Sequence, residues 1–235
     1  MTELGKVGYR DGSVDLTALH AHPQDAIRAA VAIYPTFMNS TPAVEVKARQ
    51  LVDAGYAVLI GDFYGPEAPE NPEQAFAAMR TLRSDPPAMR RRLGATLDLL
   101  RTLHPDLPHL AIGFCLGGMA VLEMARAGQD LVAVCSFHGM LETSLPAHDP
   151  IKPRILVCHG DADSLVPRPQ VLAFWEEMDA IGADWHFHNY AGVEHGFTNP
   201  LARDGTPNPA YDPSADRQSR AAMHALFDEV LELRS

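Results

Sequence analysis

The chain has 235 residues, 46% of them hydrophobic and 21% charged, the proportions of an ordinary folded globule, and at this length about 70–75% of the unfolded surface can be buried. Nineteen Lys and Arg stand against 30 Asp and Glu, a formal net charge of −11, which argues against nucleic acid or an anionic membrane as a partner. No apolar stretch reaches the ~18–20 residues that cross a bilayer, and the opening "MTELGKVGYRDGS" lacks a secretion-signal pattern, so a cytoplasmic protein is expected.

Taken in chain order, the first thirty residues read as a hairpin, with "KVGYR" and "SVDLTALHAHP" around an Asp-Gly turn at Asp11 and Gly12. The rhythm then changes. "RAAVAIYP", "YAVLIGDF", "HLAIGF", "LVAVCSFHG", "RILVCHGD" and "DWHFHNYAG" are short, nearly continuous apolar runs of the type expected from strands buried on both faces. Helical stretches lie between and after them, at roughly 43–54, 72–82, 88–103, 117–127, 168–181 and 215–233. Such alternation predicts an α/β fold with a mostly parallel, doubly wound sheet, helices on both faces and an N-terminal hairpin. Pro and Gly are scattered as punctuation with no linker or repeat, so residues 1–235 are expected to form a single domain.

In a doubly wound sheet, ligands bind beyond the carboxyl ends of the strands. The residues at those ends are Thr36–Phe37, Asp62–Tyr64, Cys115, His138, Asp161 and Asp163, and Glu194–His195. "GFCLGG", residues 113–118, follows an apolar run and opens a helical one, matching the nucleophile elbow with Cys in place of Ser. Small neighbours at Gly113 and Gly117 let strand and helix approach. At a helix N-terminus, the dipole and unpaired N–H groups favour the thiolate of Cys115, the form that attacks. Cys135 and Cys158 sit inside strand runs and read as buried packing residues. Three cysteines without CxxC spacing read as free thiols.

A thiol nucleophile needs a base, and the base an orienting acid. "HGDADSLVP" (159–167) offers Asp161 or Asp163, either of which could instead cap the next helix, and "GVEHGF" (192–197) offers His195. Nucleophile, acid, base is the chain order of α/β-hydrolases.

On "GFCLGG", "HGDADSLVP", "EHGF" and the early "VDAGYAVLIGDFYG", the sequence resembles the dienelactone hydrolase family of α/β-hydrolases over nearly its whole length. The resemblance implies Cys115 as nucleophile, His195 as base and Asp163 as orienting acid, since the family pattern G-x-x-D-x-x-V falls on Gly160, Asp163 and Val166. It also implies an oxyanion hole from the backbone N–H groups of Leu116 and Phe37. Three positions depart from the archetype: Thr36 stands where it has a glutamate, and Pro72 and Asn199 where it has two arginines that hold a substrate carboxylate. The expected substrate is therefore a small neutral ester or lactone rather than dienelactone, in a pocket edged by Thr36, Phe37, Tyr64, His138 and Phe197. Activated phosphotriesters are further candidates.

Other motifs are weaker. "HAH" (His20, His22) and "HFH" (His186, His188) each put two imidazoles on one strand face, but a metal site needs three convergent ligands, and none is expected. "RRR" (90–92) reads as a solvated helix face, and no nucleotide loop appears, so no cofactor is expected. The rival functions are a non-catalytic binding protein of the same fold and a thiol redox sensor built on Cys115.

Overall fold

A computed structural model of the chain describes residues 2–201 and 208–233, which fall into two compact units, Met1–Ala111 and Ile112–Ser235. In the first, β1 (Gly5–Asp11) and β2 (Val14–Ala21) form the antiparallel hairpin. Asp11 pairs with Val14, so the two-residue turn is Gly12–Ser13, one position later than the Asp-Gly turn read from sequence. Gly12 supplies the positive φ of 58° that the turn requires.

The one-residue shift leaves Asp11 in the strand, and its buried carboxylate accepts hydrogen bonds from Arg91 Nε at 2.9 Å and Arg92 Nε at 2.7 Å. The arginine run is therefore not simply a solvated face. The Arg92 side chain is only 16% exposed and also donates to the Phe63 carbonyl at 2.9 Å. Its partner stands 81 residues away in sequence, beyond the reach of any local pattern.

β2 pairs antiparallel with β4 (Tyr56–Ile60), and β4 pairs parallel with β3 (Ala29–Tyr34), giving the order β1-β2-β4-β3. Every residue of β3 and β4 is buried, as their continuous apolar runs require. Helices α1 (Pro42–Asp53), α2 (Pro72–Arg83) and α3 (Pro86–Leu103) begin alike: a capping Thr41, Asn71 or Asp85 accepts a first-turn N–H, and proline follows at once. α3 buries Met89, Leu93, Leu97 and Leu100, whereas α2 buries only Ala75.

β5 (His109–Phe114) crosses into the second unit, where α4 (Leu116–Arg126), β6 (Ala133–Phe137), β7 (Arg154–Gly160), α5 (Arg168–Ala180), β8 (Trp185–Tyr190) and α6 (Pro213–Glu232) follow. β6, β7 and β8 pair parallel in that order. α4 is buried on every side, and Arg126 within it is neutralised by Glu123 at 3.2 Å and Glu177 at 2.6 Å. β8 departs from expectation. It is the outermost strand, so His186, His188 and Asn189 are exposed while Trp185, Phe187 and Tyr190 are half-buried, in place of burial on both faces. Among the described residues, no helix is long and apolar enough to cross a membrane.

Candidate active site

β5 ends at Phe114 and α4 begins at Leu116, so Cys115 alone makes the turn, with φ 56° and ψ −114°. That conformation is costly for a residue with a Cβ and is retained only where the surroundings fix it. The close approach falls at two glycines: a Cβ on residue 113 would collide with the Gly117 carbonyl, and one on residue 118 would lie 2.7 Å from the Gly139 Cα. The first amides of α4, Leu116 foremost, have no intrahelical acceptor, and Cys115 is the residue that caps them.

Cys115 is partly exposed, unlike the other two thiols. Burial pushes the Cys135 thiol well above its ordinary range and that of Cys158 up to about 12, so both stay protonated. The Cys115 N–H donates to the Phe137 carbonyl at 3.1 Å and to His138 Nδ1 at 3.2 Å.

The loop after β7 separates the two candidate acids. Asp163 is buried; its Oδ2 accepts from His195 Nδ1 at 2.8 Å and its Oδ1 from the Leu165 N–H at 2.9 Å. Asp161 instead faces Arg168, at 2.7 Å, and Asn189. Neither caps α5, whose first turn follows Pro167.

His195 therefore has its tautomer set by Asp163, with Nε2 left to face the sulfur. Nε2 makes no hydrogen bond of full geometry, yet Cys115 still acts on it electrostatically. Burial alone would depress the imidazole; the Asp163 hydrogen bond and the Cys115 sulfur outweigh it and raise its pKa to about 10. An imidazolium is thus the resting form at neutral pH, the charge partner that a thiolate uses.

His138 and Phe197, read from sequence as pocket edges, are both buried. The His138 ring packs edge-on against His195 at 5.0 Å and against Phe197 at 5.3 Å, and His138 Nε2 meets Thr198 Oγ1 at 2.9 Å. Thr198 was not singled out in the sequence; its place three residues after His195 was the available signal.

The remaining candidates lie in the first unit. Thr36 accepts from the Met38 N–H at 3.2 Å, and Tyr64 donates its hydroxyl to the Phe37 carbonyl at 2.9 Å. The Phe37 N–H makes no hydrogen bond among the described residues. Asp62, expected from sequence only as a strand-end residue, organises this segment: its carboxylate accepts from Thr17, Tyr64 and Gly65 N–H groups and from Asn39 Nδ2. Asn39 in turn holds a φ of 65°.

Among the described residues, no group of three or more His, Cys, Asp or Glu could hold a metal ion. His20 and His104 meet Nε2 to Nε2 at 2.9 Å, and the His22 ring lies tilted 5.7 Å from that of His20, its Nδ1 hydrogen-bonded to the Pro23 carbonyl. His186 and His188 are exposed on β8.

Mostly parallel strands alternating with helices, and a strand–Cys–helix turn followed at later strand ends by a paired Asp and His, define an α/β-hydrolase fold. The chain belongs to the dienelactone hydrolase family, whose model matches residues 16–231. Among solved structures it is similar to the dienelactone hydrolase-like promiscuous phosphotriesterase P91 from metagenomic libraries, with TM-score 0.89, 31% identity, and coverage of 97% of this chain and 98% of that one. An uncharacterized protein of Caenorhabditis elegans is 36% identical over 148 residues, 60% of this chain and 94% of its own length. The carboxymethylenebutenolidase homolog of Mus musculus is 23% identical over 192 residues, 79% of this chain and 76% of its own. The protein is a dienelactone hydrolase-like hydrolase.

Proposed function

We propose that the protein hydrolyses a small neutral ester or lactone through a thioester acyl-enzyme, with residues 1–235 acting as one hydrolase domain and no cofactor. The observation that carries this is the Asp163–His195 hydrogen bond at 2.8 Å beside a partly exposed Cys115 at the N-terminus of α4. The Cys115 thiolate attacks the carbonyl carbon, and the oxyanion is held by the Leu116 amide. Phe37 is assigned as second donor from the family resemblance, and its unused N–H supports that. His195 then gives its Nε2 proton to the leaving alcohol as the thioester forms. In the second half it takes a proton from water, the hydroxide adds to the thioester carbonyl, and the acid leaves as the Cys115 sulfur is released.

Neutrality of the substrate rests on sequence: Pro72 opens α2 and Asn199 is an amide, so neither supplies a fixed cation to offset desolvation of a substrate carboxylate. Thr36, Tyr64, His138 and Phe197 are proposed to shape the pocket. A second reading, phosphotriester hydrolysis by the same groups, is favoured by the likeness to P91, 31% identical over 97% of the chain.

The test is burst and steady-state release of p-nitrophenol from p-nitrophenyl acetate, wild type against Cys115→Ala, followed by a panel of neutral esters, lactones, dienelactone and a p-nitrophenyl phosphotriester. Sustained turnover lost in Cys115→Ala is expected, with neutral esters giving a higher kcat/KM than dienelactone. No turnover at all indicates a binding protein, and a stalled burst a thiol sensor. Dienelactone outrunning every neutral ester would overturn the substrate assignment.

A further inference from the structure

Two residues of this site hold positive φ angles, and they are hydrogen-bonded to each other. Cys115 has φ 56° and His138 has φ 41°, in a region that side chains with a Cβ occupy only when their neighbours over-determine it. Cys115 follows β5 and His138 follows β6, so each ends a strand and turns out of it.

The direction of the bond fixes the chemistry of the ring. A backbone N–H can only donate, so His138 Nδ1, 3.2 Å from the Cys115 nitrogen, accepts a share of that N–H beside the Phe137 carbonyl at 3.1 Å and carries a lone pair. The ring proton of the neutral imidazole is then on Nε2, which donates to Thr198 Oγ1 at 2.9 Å. His138 at 3% exposure and Thr198 at 2% are both buried, so water does not compete for the bond between them. Protonation at Nδ1 would set a donor against a donor and bring a second positive charge within 5.0 Å, ring to ring, of His195. Titratable residues beside His138 include Cys115, His195 and Cys158, whose carbonyl accepts the His138 N–H at 2.9 Å, with Asp163 behind His195.

We propose that His138 is a positioning residue for the hydrolysis: held as the neutral Nε2–H tautomer by Thr198, it fixes the Cys115 backbone in the attacking conformation and leaves His195 as the imidazole that exchanges protons. This rests on the Cys115–His195 reading given above. The Leu116 amide, next along the chain, is aimed by the same constraint, so a slack turn would displace sulfur and oxyanion donor together. Misplacement on the order of 1 Å costs about 100-fold in rate without altering ground-state binding.

The experiment measures kcat, KM and the pH profile with p-nitrophenyl acetate for wild type, His138→Ala, His138→Asn and Thr198→Val, with thermal melting to report folding. His138→Ala is expected to lower kcat about 10- to 100-fold with KM within about two-fold. Asn offers an acceptor oxygen and tolerates positive φ, so His138→Asn should recover about ten-fold of that loss and keep the acid limb of kcat/KM at the wild-type pH. Thr198→Val frees the tautomer and should lower kcat with KM unchanged. If His138→Ala does not fold, the Asn and Val variants decide. The proposal is overturned if His138→Asn is no better than His138→Ala, if Thr198→Val has wild-type kcat, or if the acid limb disappears in His138→Asn, which would make His138 the titrating base. Turnover persisting in Cys115→Ala sinks the underlying reading; normal His138 variants beside an inactive Cys115→Ala sink this inference alone.

Discussion

Two carboxylates two residues apart, Asp161 and Asp163, meet opposite surroundings, and that contrast makes them separable by mutation. Asp163 is buried and bonded to His195, whereas Asp161 lies outside with Arg168, whose guanidinium holds its carboxyl below the usual range. Asp163→Asn should lower esterase kcat by a factor of about 10² or more and Asp161→Asn by less than about three-fold, with His195→Ala losing at least ~10³. Collapse in Asp161→Asn with activity retained in Asp163→Asn would reverse the assignment. His195 also governs the resting sulfur. With its pKa at about 10 it is an imidazolium at neutral pH, and His195→Gln removes that positive charge from beside the sulfur. Iodoacetamide should therefore alkylate Cys115 faster in wild type than in His195→Gln at neutral pH, with mass spectrometry placing the adduct. An adduct on Cys135 or Cys158, both buried and held protonated, would contradict the arrangement.

At the scale of elements, the turn between β5 and α4 and the link between the hairpin and α3 each depend on one irreplaceable side chain or its absence. A methyl on residue 113 meets backbone, the Gly117 carbonyl, which cannot swing aside as a side-chain tip can. Gly113→Ala should cost about 1–3 kcal/mol and, for a chain of this size, lower Tm by roughly 2–4 °C per kcal/mol. The activity loss should be larger than the change in melting suggests, because the displaced element carries Cys115. In the hairpin, Asp11 has a 3% exposed side chain clasping Arg92 at 16%. Asp11→Ala strands a largely buried guanidinium and should cost about 1–3 kcal/mol by urea denaturation. Arg91, 66% exposed, is a solvent-screened partner, and Arg91→Ala should change stability by less than about 1 kcal/mol.

Across the whole molecule, acid should be the damaging direction. Burial, then the neighbouring imidazoles, lowers His20 from 6.5 to about 4 and depresses His104; burial also depresses His159 and His188. A depressed histidine binds its proton more readily unfolded than folded, so its contribution is present above pH 6.5 and is lost as pH falls from there toward the folded value, about 4 for His20. Asp11 acts in the same direction further down: burial would raise its pKa, but Arg92 and Arg91 lower it on balance, and this support disappears as the carboxylate protonates. His195, raised to about 10, works the other way but only above pH 6.5, so the urea midpoint should drop between pH 6.5 and 5, and His20→Phe should flatten that drop. A midpoint that rises between pH 6.5 and 5 would contradict the neutral assignment of the His20–His104 pair. If residues 1–235 act as one domain, melting followed by far-UV and near-UV signals should coincide in a single transition.

Local pattern in the chain accounts for the elements and for the order of the nucleophile, acid and base. Period and punctuation are local, so the continuous runs of β3 and β4 and the "GFCLGG" turn were legible within windows of a few residues. Only the tertiary structure decided which polar groups meet. The Asp11–Arg92, His20–His104 and His138–Thr198 partners are 81, 84 and 60 residues apart, distances over which no periodicity carries information. The same holds for β8, whose apolar letters read as a buried strand until the sheet order left it outermost. Hydrophobic pattern fixes what a segment becomes because each residue feels its own burial; pairing and tautomer are fixed by geometry that exists only once the strands have been laid side by side.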